Sequence, residues 1–218
     1  QVATPAGSVT APAVIVATNA YSGRLWDALR RSVVTVPSFQ VATARLPAAL
    51  RTGILPGAQA ASDTCRLLRY FRLDAGGRLV LGSRGVFGAT PGAHSMRHHY
   101  RAVHEIYPQL EGVAFEYHWG GPVAMTRDHL PHLHELAPGL LAGLGYNGRG
   151  VAMATLMGRL LAQRVLGAGA AELGFPVTPL RPIPFHRFSR LAAAAAIGYL
   201  RAADRLARAR GARSGRRP

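Results

Sequence analysis

A glycine-dense turn between two apolar segments constrains the fold of this chain more than any other feature. Residues 139–162 read GLLAGLGYNGRGVAMATLMGRLLA: a short apolar run, a turn, and a long alanine-rich segment. The turn carries the pattern GxGxxG at Gly143, Gly145 and Gly148, and Gly150 follows. Glycine adopts positive φ and lets a backbone approach a ligand, while the following helix start offers N–H groups and a positive dipole end. The sequence therefore predicts strand, turn and helix, with a phosphate or another electron-rich group as the guest.

This turn does not fit the first strand–helix–strand unit of an ordinary dinucleotide-binding fold. Such a unit continues into a second strand, with an acidic residue about 20 residues after the glycines. Here the helix runs into the glycine and alanine stretch 166–171 and then the proline-rich segment 176–184. Glu172 is the only carboxylate nearby, and no apolar strand precedes it. Binding of an adenosine ribose is therefore not expected; the turn is either a plain tight turn or a helix start that faces another part of a cofactor.

The composition is compatible with one large domain or two small ones and argues against a disordered chain. Of 218 residues 49% are hydrophobic, although 25 glycines and 15 prolines predict many turns. The net charge is +16, and all 26 basic residues are arginines. The absence of lysine indicates a GC-rich coding bias more than a selected binding surface.

The arginines concentrate at the carboxyl end of the sequence. Seven lie in the last 18 positions: Arg201, Arg205, Arg208, Arg210, Arg213, Arg216 and Arg217. We favour a solvated basic tail, because no aromatic residues interleave with these arginines as they do in single-strand binders. In that interpretation nucleic acid is not a partner. The alternative is a non-enzymatic basic protein that binds nucleic acid or an anionic membrane through the tail.

A single cysteine, Cys65, excludes an intramolecular disulfide and is compatible with a reducing cytoplasm, where we expect the protein to reside. No signal peptide is visible, and no apolar run reaches the roughly 18 residues of a transmembrane segment. Residues 191–200 are apolar but short and flanked by arginines, which favours a docked helix within a predicted terminal helix over 189–210.

The first apolar run, residues 13–17, predicts a buried strand close to the start of the sequence. Its partner strands must lie later in the chain or in a preceding part; we favour the preceding part. The run ends in Thr18 and Asn19, and residues 22–30 predict a short helix with Ser22 as its N-cap.

The middle of the chain is rich in strand patterns. We predict a strand over 33–44, a loop over 45–62, a hairpin over 67–82, an exposed helix over 95–107, and a strand over 113–119 that is interrupted at 120–122 and resumes at 123–126. With the later strand, glycine turn and helix, this order predicts a core split in sequence around a strand-rich insertion.

In their order and spacing, seven segments resemble the D-amino-acid oxidase superfamily of flavin-dependent oxidoreductases. These segments are VIVATNAY at 14–21, SDT at 62–64, YFR at 70–72, GSRG at 82–85, WGG at 119–121, TRDHLP at 126–131 and GYNGRGV at 145–151. The chain is similar to the carboxyl-terminal portion of such an enzyme from about Ala13 to Phe188, within the branch that holds gamma-glutamylputrescine oxidase and the glycine and sarcosine oxidases.

The resemblance implies an α+β fold: an incomplete α/β FAD-binding fold with an inserted, mainly antiparallel substrate domain. The implied boundaries are 1–32 for the end of the FAD-binding domain, 33–137 for the substrate domain, 138–168 for the return to the FAD-binding domain, and 169–218 for a proline-rich wrap and basic tail. The implied activity is oxidation of a C–N bond in a small amine or amino acid by hydride transfer to flavin N5, with oxygen or a carrier as final electron acceptor.

The resemblance also implies which residues contact FAD. They are Ala17, Thr18, Asn19, Gly143, Gly145, Tyr146, Asn147, Gly148, Arg149, Gly150 and Val151. In this family the helix start after the glycine turn faces the pyrimidine edge of the flavin ring, where reduction places negative charge near N1 and C2=O. A helix N-terminus stabilises that charge.

Two departures from the family pattern sharpen this expectation. The family's dinucleotide fingerprint lies near its amino terminus and is not in this chain, so we expect residues 1–218 alone to bind FAD poorly. Some relatives hold FAD covalently through a cysteine upstream of the aspartate that matches Asp128, where this chain reads WGG. The FAD is therefore expected to be noncovalent, and Cys65 is expected to be a small buried residue.

Three residues are candidates for substrate binding, and no catalytic side chain is assigned. Tyr70 and Arg72 alternate on one strand and face the same side. The resemblance implies that this strand belongs to the sheet over the flavin, where Arg72 would bind a substrate carboxylate through its guanidinium fork. The alternative is a surface arginine. Trp119 either lines one side of the active site or belongs to the core.

Histidines cluster in two places without predicting a metal site. The group Asp128, His129, His132, His134 and Glu135 does not have the HExxH spacing of a helical zinc site, so we predict no metal. The resemblance makes this segment a loop with Asp128 as a hydrogen-bonding anchor. His98, His99 and His104 are interpreted as a solvated helix face.

Overall fold

The computed structural model describes residues 1–214, with side chains described as far as Ala207. The chain forms two compact units, one from residues 1–35 and 123–189 and the other from residues 36–122 and the chain from Arg190 onward. The predicted α+β class is confirmed. The predicted assignment of the segments to FAD-binding and substrate domains stays a prediction.

The described residues contain ten strands and five α-helices. The strands are β1 (Val2–Thr4), β2 (Gly7–Val9), β3 (Val14–Val16), β4 (Val34–Thr43), β5 (Ala61–Ser62), β6 (Tyr70–Leu73), β7 (Leu79–Arg84), β8 (Phe115–Met125), β9 (His132–Ala137) and β10 (Leu140–Leu144). The helices are α1 (Asp27–Arg30), α2 (Ala48–Arg51), α3 (Arg97–Ile106), α4 (Gly150–Val165) and α5 (Ser189–Ser214).

The first unit is built on a three-stranded sheet in the order β3-β10-β9. Strand β3 pairs in parallel with β10, with Val14 opposite Leu140 and Val16 opposite Ala142, and β9 pairs antiparallel to β10. One partner of the first apolar run therefore lies later in the chain. The pairing of its other edge with a preceding part, which we favoured, stays a prediction. Because β3 is an edge strand of this sheet, Ile15 is 42% exposed instead of buried.

Helix α4 covers one face of this sheet. Met157, Leu160 and Leu161 have the helical spacing of an apolar stripe and pack against Leu133 and Leu141. Each fully buried side chain of this size contributes about 1.5–3 kcal/mol of hydrophobic stabilisation. The opposite face carries a second cluster that contains Val16, Leu29, Val33, Ala124, Ala142 and Leu144. The long apolar segment after the glycine turn is thus held as a helix by the strand that precedes the turn.

Local structure in the first unit departs from the sequence interpretation in three places. Helix α1 begins at Asp27, and Ser22 does not cap it: its hydroxyl donates to the Asn19 carbonyl across a 3-10 turn at Asn19–Tyr21 (2.8 Å). Strand β9 forms where the resemblance implied a loop, with His134 buried and His132 half-buried on it. The hairpin β1–β2, with Val2 opposite Val9, was also missed.

The second unit is built on a five-stranded sheet in the order β5-β6-β7-β4-β8. The predicted hairpin is confirmed as β6–β7, with Tyr70 opposite Gly82 and Leu73 opposite Leu79. Its turn closes when Asp74 accepts the Arg78 N–H (2.8 Å). The core of this unit comprises Phe39, Val41, Leu46, Ile54, Leu79, Leu81, Met96, Ala102, Val103 and Leu110, and it holds α3 against one face of the sheet.

Three predictions in this unit were wrong. Strand β8 runs without interruption through the predicted break, and a Cβ at Gly120 would lie 2.4 Å from the Phe39 ring, so this glycine provides room for the core. The loop over 45–62 contains α2 and β5. The histidines of α3 are not a solvated face: His99 is fully buried, with Nε2 3.0 Å from the Ser83 hydroxyl, and His98 is half-buried.

The terminal helix is confirmed as α5, which docks through Asp204. That carboxylate is 7% exposed and accepts the backbone N–H groups of Arg66 and Leu67 (3.1 and 3.2 Å). Arg201 is half-buried, so the interpretation of a solvated tail was wrong at this position. The side chains of Arg208, Arg210 and Arg213, and all of Arg216 and Arg217, lie outside the described residues.

A helix long and apolar enough to cross a membrane is absent from the described part of the chain.

Candidate flavin-binding and substrate sites

The glycines of the turn have distinct physical roles. A Cβ at Gly143 would lie 2.5 Å from the Met157 Cγ, and a Cβ at Gly145 would lie 2.2 Å from the Thr126 Cγ2, so both positions exclude a side chain. Gly145 also has φ of +78° and Gly148 has φ of +88°, which glycine adopts at least cost. Nothing lies within 4 Å of a Cβ built on Gly148. The turn is therefore tightly packed at Gly143 and Gly145 and open at Gly148.

A hydrogen bond joins the two segments that the sequence assigns to the flavin. The Gly145 N–H donates to the side-chain oxygen of Asn19 (3.0 Å). Asn19 itself has φ of +43°, a conformation that asparagine tolerates better than most residues. Thr18 lies beside it, with its hydroxyl 3.0 Å from that of Ser22, and Ala17 is exposed. The strand end and the glycine turn, more than 100 residues apart in sequence, therefore meet at the carboxyl ends of β3 and β10.

Asn147 links the turn to Thr126 by hydrogen bonds. Its side-chain oxygen accepts the Thr126 N–H (2.9 Å), and its amide donates to the Thr126 hydroxyl (3.0 Å) and to the Gly145 carbonyl. Its own N–H donates to the Ala124 carbonyl (3.2 Å). Sequence reasoning missed Thr126 as a partner; the only signal was its place in the segment TRDHLP. Asn147 therefore stabilises the turn from within.

Other residues around the turn differ in exposure. The Arg149 guanidinium donates to the His129 carbonyl, so this arginine holds a neighbouring loop in the present structure. Tyr146 is half-buried, and burial raises the pKa of its phenol. Val151 is 98% exposed although it is apolar and lies in the first turn of α4.

The N-terminus of α4 is chemically suited to an electron-rich guest. This helix has 16 residues, Arg149 occupies its N-cap position, and no described side chain caps it. The first N–H groups of a helix have no partner inside the helix, and its dipole places partial positive charge there. Together with the space above Gly148 and the bare apolar side chain of Val151, this end fits the polar edge of a flavin ring.

The predicted substrate residues lie in the second unit. Tyr70 lies over Gly82, where a Cβ would be 2.2 Å from its ring, and its hydroxyl is 2.5 Å from that of Ser38. Arg72 is exposed, and its guanidinium reaches only the Leu73 carbonyl (3.4 Å). Tyr70 and Arg72 share one face of β6, as alternation requires.

Trp119 is not next to these two residues. It is 41% exposed on β8, and strands β7 and β4 lie between β8 and β6 in the sheet. Core burial, one of the two interpretations of this tryptophan, is therefore wrong.

Cys65 is half-buried and not the buried residue that we expected.

A second polar cluster in the first unit joins Asp128, His132 and His134, which the sequence had grouped, to Thr178, which sequence reasoning missed. His132 places Nδ1 3.0 Å from the Thr178 hydroxyl and Nε2 3.1 Å from Asp128, while His134 places Nδ1 2.8 Å from the Thr178 carbonyl. The cluster borders a cavity of about 520 Å³ whose other wall is the proline-rich segment 179–184. The signal in the sequence was the alternation of His132 and His134, which places both on one face of β9.

Asp128 has the anchoring geometry that the resemblance implied. Although burial opposes it, hydrogen bonds from the Leu130 N–H and from His132 lower the pKa of this carboxyl to about 2. Burial lowers the pKa of His134, so this ring is neutral near pH 7. Among the side chains that the structure describes, no three histidine, cysteine or acidic groups converge as metal ligands.

Comparison with known proteins identifies the family. The model of the family described as FAD dependent oxidoreductase (DAO) matches residues 1–164. The chain is 35% identical over 164 residues to a probable oxidoreductase, OrdL, of Rhizobium meliloti, covering 75% of this chain and 38% of that protein. It is 32% identical over 191 residues to the gamma-glutamylputrescine oxidoreductase of Escherichia coli, covering 87% of this chain and 45% of that protein.

Solved structures agree with this assignment. The glycine oxidase of Geobacillus kaustophilus superposes with a TM-score of 0.62 at 26% identity, over 80% of this chain and 47% of that one. The iminodiacetate oxidase of Chelativorans has the same fold, with a TM-score of 0.61 at 19% identity, over 82% and 48% of the two chains. The chain spans less than half the length of the curated relatives cited above. The resemblance inferred from the motifs is confirmed, and the chain belongs to the family of FAD-dependent oxidoreductases.

Proposed function

We propose that this chain supplies the flavin-ring end of an FAD-dependent enzyme that oxidises the C–N bond of a small amine or amino acid. The observation that carries the proposal is the uncapped N-terminus of α4 next to the hydrogen bond between Gly145 and Asn19. The names of two relatives, a gamma-glutamylputrescine oxidoreductase and a glycine oxidase, support an amine or amino acid as substrate.

The chain would hold the ring through backbone groups more than through charged side chains. The first N–H groups of α4, at Gly150 and Val151, would face the edge on which negative charge develops. A helix terminus stabilises a nearby negative charge by about 0.3–1 kcal/mol, and by up to about 2 kcal/mol where it is partly buried. Gly148 leaves that approach open because it has no side chain. The residues at 17–19 would border the same ring from the end of β3.

When bound, FAD supplies the two-electron acceptor, taking hydride from the substrate carbon beside the amine. The protein then has to orient the substrate and exclude water. No cysteine is present other than Cys65, which lies in the second unit, so the binding of FAD is proposed to be noncovalent. Oxygen or an electron carrier would complete the cycle.

Flavin uptake tests this proposal directly. The chain is to be purified as residues 1–218 and, separately, together with any coding sequence that precedes Gln1 in its gene. We expect the longer protein to be yellow and to release its flavin on acid precipitation, since no covalent bond holds it. We expect residues 1–218 alone to bind added FAD weakly, because the stretch contains no pyrophosphate fingerprint. A longer protein that stays colourless after incubation with FAD would contradict the function.

Arg72 offers a test of substrate class in the same longer protein. If its guanidinium binds a substrate carboxylate, Arg72→Ala should raise KM for an amino-acid substrate at least about tenfold, because a bidentate charge-assisted pair is lost. The value for an amine that lacks a carboxylate should stay within about twofold of the unchanged enzyme, which makes this amine the internal control. Equal changes for both substrates, or none for either, would exclude this role.

A further inference from the structure

A second cavity lies in the other unit. Its volume is about 240 Å³, and it is lined by residues of β7, α3 and α5 and of the segment before β6, including Arg69, Arg101, Glu105, Arg201 and Arg205. Five arginines and two carboxylates line it, so its walls carry net positive charge. Neither the family nor the proposed reaction assigns this cavity a role.

Both carboxylates at the cavity already have partners. Asp204 accepts the backbone N–H groups of Arg66 and Leu67 and the Arg66 guanidinium (3.2 Å). Glu105 accepts the Arg69 guanidinium (2.7 Å), which also pairs with Asp63. These carboxylates link the segment before β6 to α3 and α5 at the wall of the cavity.

Three guanidinium groups at the cavity have no acceptor among the described residues: those of Arg101 on α3 and of Arg201 and Arg205 on α5. Arg201 is half-buried, and burial together with the charge of Arg205 lowers the pKa of its guanidinium. Arg101 and Arg205 are exposed, so water screens part of their repulsion, but the half-buried charge of Arg201 costs free energy unless an anion neutralises it. The charge of the cavity therefore favours binding of an anion.

We propose that this cavity binds a small phosphoryl anion, such as a diphosphate or the phosphate group of a small metabolite. Guanidinium forks reach it from two helices, and a tetrahedral phosphoryl group offers oxygens in several directions, whereas a planar carboxylate accepts a fork only in its own plane. The volume corresponds to roughly eight water molecules, which admits a phosphoryl group with part of a small molecule.

Calorimetric titration of the full chain with pyrophosphate at low salt tests the site. We expect saturable binding below about 1 mM, weakened by added sodium chloride because screening acts on exposed charges. Arg201→Gln should weaken binding at least about tenfold, since a charge-assisted contact to phosphate is lost. Arg201→Lys, which keeps the charge without the fork, should fall between the two.

Arg190→Gln is the matched control, because Arg190 is an exposed arginine of the same helix outside the cavity. Its affinity for pyrophosphate should stay within about twofold of the unchanged chain. Circular dichroism of each variant checks that α5 is intact. The proposal fails if binding does not saturate, if Arg190→Gln weakens it as much as Arg201→Gln, or if succinate binds as tightly as pyrophosphate.

Discussion

Replacing Gly145 by alanine is expected to destabilise the chain by about 2–4 kcal/mol. The added Cβ would lie 2.2 Å from the Thr126 Cγ2, and Thr126 cannot give way freely because its hydroxyl donates to the Leu130 carbonyl (2.8 Å). The residue also has φ of +78°, where alanine is strained. Overpacking costs about 1–3 kcal/mol and the backbone strain about 1 kcal/mol more. Chemical denaturation of both proteins measures the difference in the free energy of unfolding.

Gly158→Ala is the control for this prediction. Gly158 lies on the exposed side of α4 with helical φ, and a Cβ there would meet nothing within 4 Å. Alanine in an open helical position should raise stability by up to about 1 kcal/mol. The two substitutions make the same chemical change with opposite expected signs. If Gly145→Ala leaves the free energy of unfolding unchanged, Thr126 does not confine the space at Gly145.

The glycine turn could be predicted because its constraint is local. A short apolar run, glycines at fixed spacing and a long apolar segment are all properties of neighbouring residues, and they correctly indicated β10, the turn and α4. The bond from Gly145 to Asn19 depends on a parallel pairing between distant segments. Periodicity carries no information on which strands pair, so this contact was not predicted. The resemblance only assigned both segments to the flavin.

The error at His99 arose because a polar residue type was taken to mean exposure, whereas the loop expected at β9 came from the family resemblance. The fold buries both His99 and His134 and gives each a hydrogen-bonding partner. Burial of a polar group costs free energy unless a hydrogen-bonding partner is present, and such partners come from tertiary structure. Thr178 of the second histidine cluster and Arg201 of the arginine cavity were missed for the same reason, since both are far in sequence from the residues they join.

Burial of His99 makes the stability of the chain depend on pH. Burial above all, and the charge of neighbouring His98, lower the pKa of the His99 imidazole to about 4. The pKa in the unfolded chain is about 6.5, so the unfolded state binds more protons between these values. Stability is therefore fully present above pH 6.5 and is lost as the pH falls toward 4, by about 3 kcal/mol from this residue.

His99→Gln should remove most of this dependence, because glutamine takes up no proton. The substitution also removes packing against the Phe39 ring, so the variant starts from lower stability at neutral pH, and the informative quantity is the change in unfolding free energy between pH 7 and 4.5. That change should shrink by about 2–3 kcal/mol; His98 and His134, whose pKa values burial also lowers, leave a residual slope. His118→Gln, at an exposed histidine on β8, should leave the change as it is in the original chain. If the unfolding free energy of the original chain and of His99→Gln changes equally with pH, then protonation of His99 is not what lowers stability in acid.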